Sequence, residues 1–216
     1  MLHYNTVTPL LQTVLKDLMQ EPLFEPFRLV GGTALSLYYG HRMSIDIDLF
    51  THADYGSLDF VALERYLRDN YPYVDTSKFE VGIGKSYYVG DSQDNCIKLD
   101  LYYNDGLIDE TVAIDGIRLA TKDAIVAMKM DIIQRTGRRK DFWDIHEMMA
   151  DYSIDQMFAL HEKHFPYVHN RELLIEKFTD FEEADDDLEP DCLRGKIWEL
   201  VKLDLVEFME ELSDKT

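Results

Sequence analysis

Apolar residues recur at Leu10, Leu11, Val14, Leu15 and Leu18, a spacing that predicts a helix over 5–20, ended by Pro22 and Pro26. A short apolar run at 27–30 leads into Gly31 and Gly32 and reads as a strand entering a tight turn. Residues 33–39 are then helical, with Thr33 as the cap and Gly40 as the stop. Over 43–50 the period changes to two. Ile45, Ile47 and Leu49 alternate with Ser44, Asp46 and Asp48, which predicts a strand with one buried and one polar face. A helix at 59–70 faces inward through Phe60, Leu63 and Leu67. Strands are expected at 79–89 and 95–103 around a turn at 90–94, and another at 114–119.

From residue 121 the helical period takes over. Helices are expected at 123–134, 141–150, 154–164, 171–178 and 192–212, with an acidic loop at 181–190. The expected class is α+β: a mixed β-sheet with flanking helices over 1–120, then a C-terminal helical unit over 121–216.

Hydrophobic residues make up 46% of the 216 positions and charged ones 30%, enough apolar side chains for a core and too many for a disordered chain. No apolar run reaches the roughly 20 residues of a membrane helix, so no membrane partner is expected. The first residues show no secretory pattern, and Cys96 and Cys192 stand alone, which together point to a reducing cytoplasm. The formal net charge of -20 repels polyanions on average and argues against broad nucleic-acid binding. Against it stands one local basic strip, Arg135, Arg138, Arg139 and Lys140.

Asp46 and Asp48 sit two apart on a predicted strand, so both carboxylates project from one face. Paired carboxylates disfavour joint ionisation without a cation, and magnesium is usually held by one or two carboxylates plus phosphates. An isolated Asp-x-Asp is more often a pair of solvated positions. Here, however, Gly31 and Gly32 sit at a strand-to-helix turn whose free N–H groups suit a phosphate, and the next strand carries the two aspartates. A phosphate cradle beside a metal site points to magnesium-assisted attack on a nucleotide phosphate. Asp100 alternates with apolar neighbours and reads as a general base, a further metal ligand or a solvent-facing strand residue.

The run Gly31-Gly32-Thr33-Ala34-Leu35, followed by Arg42-Met43-Ser44-Ile45-Asp46-Ile47-Asp48-Leu49, resembles the first motifs of the AbiEii/AbiGii toxin family, within the DNA polymerase beta-like nucleotidyltransferase superfamily. The likeness continues at Lys129, at Arg139-Lys140-Asp141-Phe142-Trp143-Asp144-Ile145, at Phe181-Glu182-Glu183-Ala184 and at Trp198. The resemblance implies a nucleotidyltransferase-like sheet over 1–120 and transfer of a nucleoside monophosphate from a nucleoside triphosphate to a hydroxyl acceptor. Gly31, Gly32, Thr33, Arg42, Ser44 and Lys140 would serve the nucleotide. Asp46 and Asp48 would bind magnesium, with Asp100 the candidate further ligand that its strand position alone suggests, Lys129 would meet the triphosphate, and Asp141 would support catalysis. It also implies a toxin of a bacterial toxin–antitoxin or phage-defence system, with an antitoxin partner and tRNA or protein as acceptor.

Other features admit plainer readings. The basic strip is either a phosphate grip or a solvated helix end. His146, His161, His164 and His169 lack a usual zinc spacing. Tyr87, Tyr88, Tyr102 and Tyr103 can stack on a base but suit strand packing equally. A different class of function stays open as well: a decayed or regulatory toxin-like protein whose acidic residues 185–189 dock a basic partner.

Overall fold

The computed structural model describes residues 1–77, 82–107 and 110–213. The chain divides into two compact units, Met1–Gly40 with Ser44–Thr121, and His41–Met43 with Lys122–Thr216.

The first unit is built on a mixed sheet. Its strands are β1 (Arg28–Leu29), β2 (Asp46–Thr51), β3 (Tyr73–Thr76), β4 (Gly84–Ser92), β5 (Asn95–Tyr103), β6 (Val112–Ile114) and β7 (Ile117–Leu119), in the order β3-β4-β5-β2-β1-β7-β6. β2 runs parallel to β5 and β1 parallel to β7, while the other pairs are antiparallel. Alternation sorts the residues of the central strands. Ile47, Leu49, Tyr87, Val89, Leu99 and Leu101 are fully buried on one face, and the polar residues between them lie on the other. The buried face packs against α1 (Pro9–Gln20), capped by the Thr8 side chain and contributing Leu11, Val14, Leu15 and Leu18. α2 (Gly31–Tyr39) ends at Gly40 in the left-handed conformation, and α3 (Phe60–Asn70) is capped by Asp59 and buries Phe60, Leu63 and Leu67.

α2 starts at Gly31 with Val30 as its cap, so both glycines lie inside the first turn and Thr33 is no cap. β2 starts only at Asp46, because the Ser44 amide bonds to the Thr6 carbonyl (2.8 Å) and Ser44 bridges Val7. Ile45 therefore stands 65% exposed instead of facing the core. The single strand expected at 114–119 is a hairpin whose two-residue turn, Asp115 and Gly116, has φ of 54° and 79°. β3 was not anticipated. The expected strand start at 79–81 lies outside the described residues, and the turn expected at 90–94 narrows to 93–94 between β4 and β5.

The second unit is helical: α4 (Lys122–Thr136), α5 (Arg139–Met148), α6 (Ile154–His164), α7 (Arg171–Phe178), the short α8 (Glu182–Asp185) and α9 (Trp198–Ser213). α4 is its centre, touching α5, α6 and α7. The last helix begins at Trp198 and not at 192, because residues 191–193 pair instead with His41–Met43. Met43 N–H donates to the Asp191 carbonyl (2.8 Å) and Leu193 N–H to that of His41 (2.9 Å). Among the described residues no helix is long and apolar enough to cross a membrane.

Candidate active site

In the first unit the β2–β5 register pairs Asp46 with Lys98 and Asp48 with Asp100. Paired residues of neighbouring strands share a face, so all four side chains project together from the open side of the sheet. Asp48 is fixed from below, its carbonyl accepting the Val30 N–H (2.9 Å). Its carboxylate lies against the first residue of α2, where a Cβ on Gly31 would meet Asp48 Oδ2 at 2.7 Å. Gly31 also has φ of +67°, a conformation that favours glycine. No side chain caps this end of α2, and the amides of a first helical turn have no intrahelical acceptor. A partly positive helix terminus therefore opens beside the Asp48 carboxylate.

Thr33 and Ser44 lie in the same place but face inward. Their hydroxyls are 2.7 Å apart, and Thr33 Oγ1 also donates to the Asp46 carbonyl. Thr33 is 1% exposed, and its hydroxyl ties α2 to β2.

Lys98 was missed in the sequence. It lies within the alternation that marked Asp100, so the period-two signal was present; a lone lysine beside a carboxylate simply reads as solvated. Its Nζ donates to Asp100 Oδ2 at 2.6 Å. Burial pushes this amine down, but the hydrogen bond and charge of Asp100, with the charges of Asp48 and Asp46, outweigh it and hold the amine above the usual lysine range. The other Asp100 oxygen, Oδ1, is buried with no hydrogen-bond partner. Among the described residues no three acidic, histidine or cysteine side chains are grouped to hold a metal by themselves. Two carboxylates on an open face do fit an ion whose remaining ligands are phosphates and water.

The open face continues across β4, where Ser86 pairs with Asp100 and Tyr88 with Lys98. A cavity of about 450 Å³ lies there, lined by Asp75, Thr76, Ser86, Tyr88 and Tyr102 among others. Tyr88 is 47% exposed, whereas Tyr87 is fully buried and Tyr103 accepts the Leu58 N–H (2.9 Å), so Tyr87 and Tyr103 are packing residues.

The remaining expected site residues belong to the second unit. Asp144, fully buried, accepts from Arg42 Nε and Nη2 (2.7 and 2.9 Å) and pairs with His41 Nε2 (2.7 Å). Lys129 lies 2.6 Å from Asp141 Oδ1 and 2.7 Å from Asp144 Oδ2. Burial pushes the Asp144 carboxyl up, but the Arg42 guanidinium and Lys129 ammonium outweigh it and hold the group well below the usual aspartate range. Asp141 is lowered in the same way, chiefly by Lys129. Lys129 is raised, its burial outweighed by the two aspartates. Lys140 lies half-buried in the first turn of α5. The basic strip is largely spent internally: Arg138 reaches Asp141, and Arg139 donates to the Ala184 carbonyl (2.9 Å) and lies over the Trp198 ring.

A curated relative, an uncharacterized protein of Aquifex aeolicus, is 28% identical over 185 residues, covering 82% of each chain. JHP933 of Helicobacter pylori matches in fold with a TM-score of 0.60 at 22% identity, covering 99% of this chain and 91% of that one. The nucleotidyltransferase toxin MenT4 of Mycobacterium tuberculosis matches with a TM-score of 0.57 at 14% identity, covering 93% and 83%. Residues 13–213 match the nucleotidyl transferase AbiEii toxin of type IV toxin–antitoxin systems, and the chain belongs to that family.

Proposed function

We propose that the first unit transfers a nucleoside monophosphate from a nucleoside triphosphate to a hydroxyl acceptor. The observation that carries this reading is the placement of the Asp48 carboxylate against the uncapped first turn of α2, with Asp46 on the same strand face. The N–H groups of Gly31, Gly32 and Thr33 would receive phosphate oxygens at the positive helix end. A magnesium ion held by Asp46 and Asp48 would neutralise phosphate charge and align the displacement. The acceptor hydroxyl oxygen bonds to the α-phosphorus and gives up its proton to water, the bond from the α-phosphorus to the bridging oxygen of the β-phosphate breaks, and pyrophosphate leaves with that electron pair. Attacking and leaving oxygens lie roughly in line. With the phosphates seated on the β1 side of β2, the acceptor enters from the β5 and β4 side, where the cavity beside Asp100 lies. The open Tyr88 ring there suits a nucleobase, which favours an RNA acceptor such as tRNA over a protein.

In the second unit Lys129 is buried against two carboxylates, so its expected contact with a triphosphate draws no support from its geometry. We assign Lys129, Asp141 and Arg42 to holding that unit together. The reading in which residues 185–189 dock a basic partner also draws little support, because Asp185 already accepts from Trp198 Nε1 (2.6 Å) and Lys202 Nζ (2.7 Å). A toxin of this family in a bacterial cytoplasm would be paired with an antitoxin.

The test is incubation with magnesium, each α-labelled triphosphate and total cell extract. The parent should label a macromolecule and Asp46→Asn should not, with both chains melting alike. Equal labelling by the Asn variant would end the proposal.

A further inference from the structure

We propose that Lys98 takes the place of a second divalent ion, so that this site binds its nucleotide with one metal ion and not two. The inference rests on the nucleotidyl-transfer reading above. A pair of divalent ions would need Asp100 as a third carboxylate beside Asp46 and Asp48, and although the register sets it on the same sheet face, the three are not grouped around a common ion position. Here a side-chain ammonium already stands among them. The register places Lys98 directly beside Asp46, about 4.8 Å away across the strands, and two residues before Asp100 on its own strand. Its Nζ takes Asp100 Oδ2 at 2.6 Å.

The fate of the two Asp100 oxygens decides the matter. An ion bridging Asp100 to β2 needs one of them. Oδ2 is bound to the ammonium, and Oδ1 is shut away from solvent without a partner. Neither is presented to an incoming ion. On the protein side, the ammonium reduces the negative charge of the three carboxylates from three to two. Asp46 and Asp48 remain on the open face as ligands for the ion that arrives with the triphosphate. Lys98 then supplies from the protein the fixed positive charge that a second ion would bring to the developing charge at the α-phosphate. Asp100 is a positioning residue: it holds the amine in place and keeps it charged.

The full-length chain is titrated with manganese in the presence of each non-hydrolysable α,β-methylene nucleoside triphosphate, and bound ions are counted by electron paramagnetic resonance. The parent should bind one ion per bound nucleotide. Lys98→Ala should admit a second, and Lys98→Arg should stay at one. In transfer assays Lys98→Ala should lose about 10²-fold in kcat, the scale of one missing electrostatic contact in a transition state. Part of that loss should return with a second-order dependence on metal concentration, while the parent stays first-order. A merely structural lysine would move neither the ion count nor that order. Two ions bound by the parent, or one ion still bound by Lys98→Ala, would overturn the role of Lys98 and leave nucleotidyl transfer standing. A parent that binds none of the nucleotides would overturn both. Lys98 is 38% exposed at its side chain, so the Ala variant should fold, and the Arg variant gives the comparison at preserved charge.

Discussion

The Asp48 carboxylate occupies the space that a side chain at position 31 would need. A Cβ built on Gly31 falls 2.7 Å from Asp48 Oδ2, closer than real contacts allow. The glycine is therefore required twice, for its positive φ and for the room it leaves to the carboxylate.

Gly31→Ala separates these two requirements when set against Gly116→Ala. Both glycines have positive φ, +67° and +79°, but a Cβ at Gly116 meets nothing within 4 Å. Each substitution should cost about 1–2 kcal/mol for the left-handed backbone. Only Gly31→Ala should also displace Asp48, with nucleotide transfer falling at least about tenfold, the effect of roughly 1.4 kcal/mol in a barrier. Thermal melts and transfer rates of the two variants check this. Equal activities would show that Asp48 can move aside without consequence.

How far the sequence reveals this arrangement depends on the range of the signal. The Asp46 and Asp48 face, the inward residues of α3 and the spans of α6 and α7 follow from local period, because burial on one side imprints itself on neighbouring residues. The start of β2 did not follow. Ile45 fits the alternation, yet Ser44 spends its amide on Thr6, a partner that no period can name. The hairpin turn at Asp115 and Gly116 carried a readable Asp-Gly signal that the run of apolar residues hid. Lys98 is the harder case. Its meaning comes from the register between β2 and β5, which sets it beside Asp46 some fifty positions away. The same holds for Lys129. Only tertiary packing shows its partners to be buried aspartates.

Asp144 is expected to matter more for stability than any other charged group of the second unit. It has no exposed surface and pairs with Arg42, His41 and Lys129. Asp144→Asn leaves two buried cations short of a counter-charge, and removing one partner of a buried pair costs about 3–5 kcal/mol. Arg138, 58% exposed and 3.4 Å from Asp141, should cost under about 1 kcal/mol when changed to Ala. Urea unfolding midpoints of the two variants should differ accordingly.

The same cluster sets the pH response of the fold. The pKa values of Asp141 and Asp144 lie below the ordinary 3.8 in the folded chain, so protons bind the unfolded state more readily. Their stabilisation is complete above 3.8 and drains away as the pH falls below it toward the folded values. Lys129 lies above the ordinary 10.5, so its contribution is complete below that value and is lost as the pH climbs past it. Unfolding midpoints followed over pH should fall at both extremes, and Asp144→Asn should flatten the acid limb. An acid limb unchanged in that variant would place the acid sensitivity elsewhere.

Tyr87 and Tyr88 are neighbours on β4 that face opposite ways, and their alanine variants should fail differently. Tyr87 is fully buried on the packed face of the sheet, where truncating a large aromatic side chain costs about 3–5 kcal/mol. Tyr87→Ala should melt early, and its loss of activity should follow its loss of folded protein. Tyr88 is 47% exposed on the carboxylate face, at the edge of the cavity assigned to the acceptor. Tyr88→Ala should melt close to the parent and raise KM for the acceptor, by the roughly 1–3 kcal/mol that base stacking on an aromatic ring is worth. KM for the triphosphate should stay put, because the proposed phosphate seat lies on the far side of β2. A Tyr88→Ala enzyme with both KM values unchanged would show that the acceptor approaches by another route, and would leave the cavity without a role in transfer.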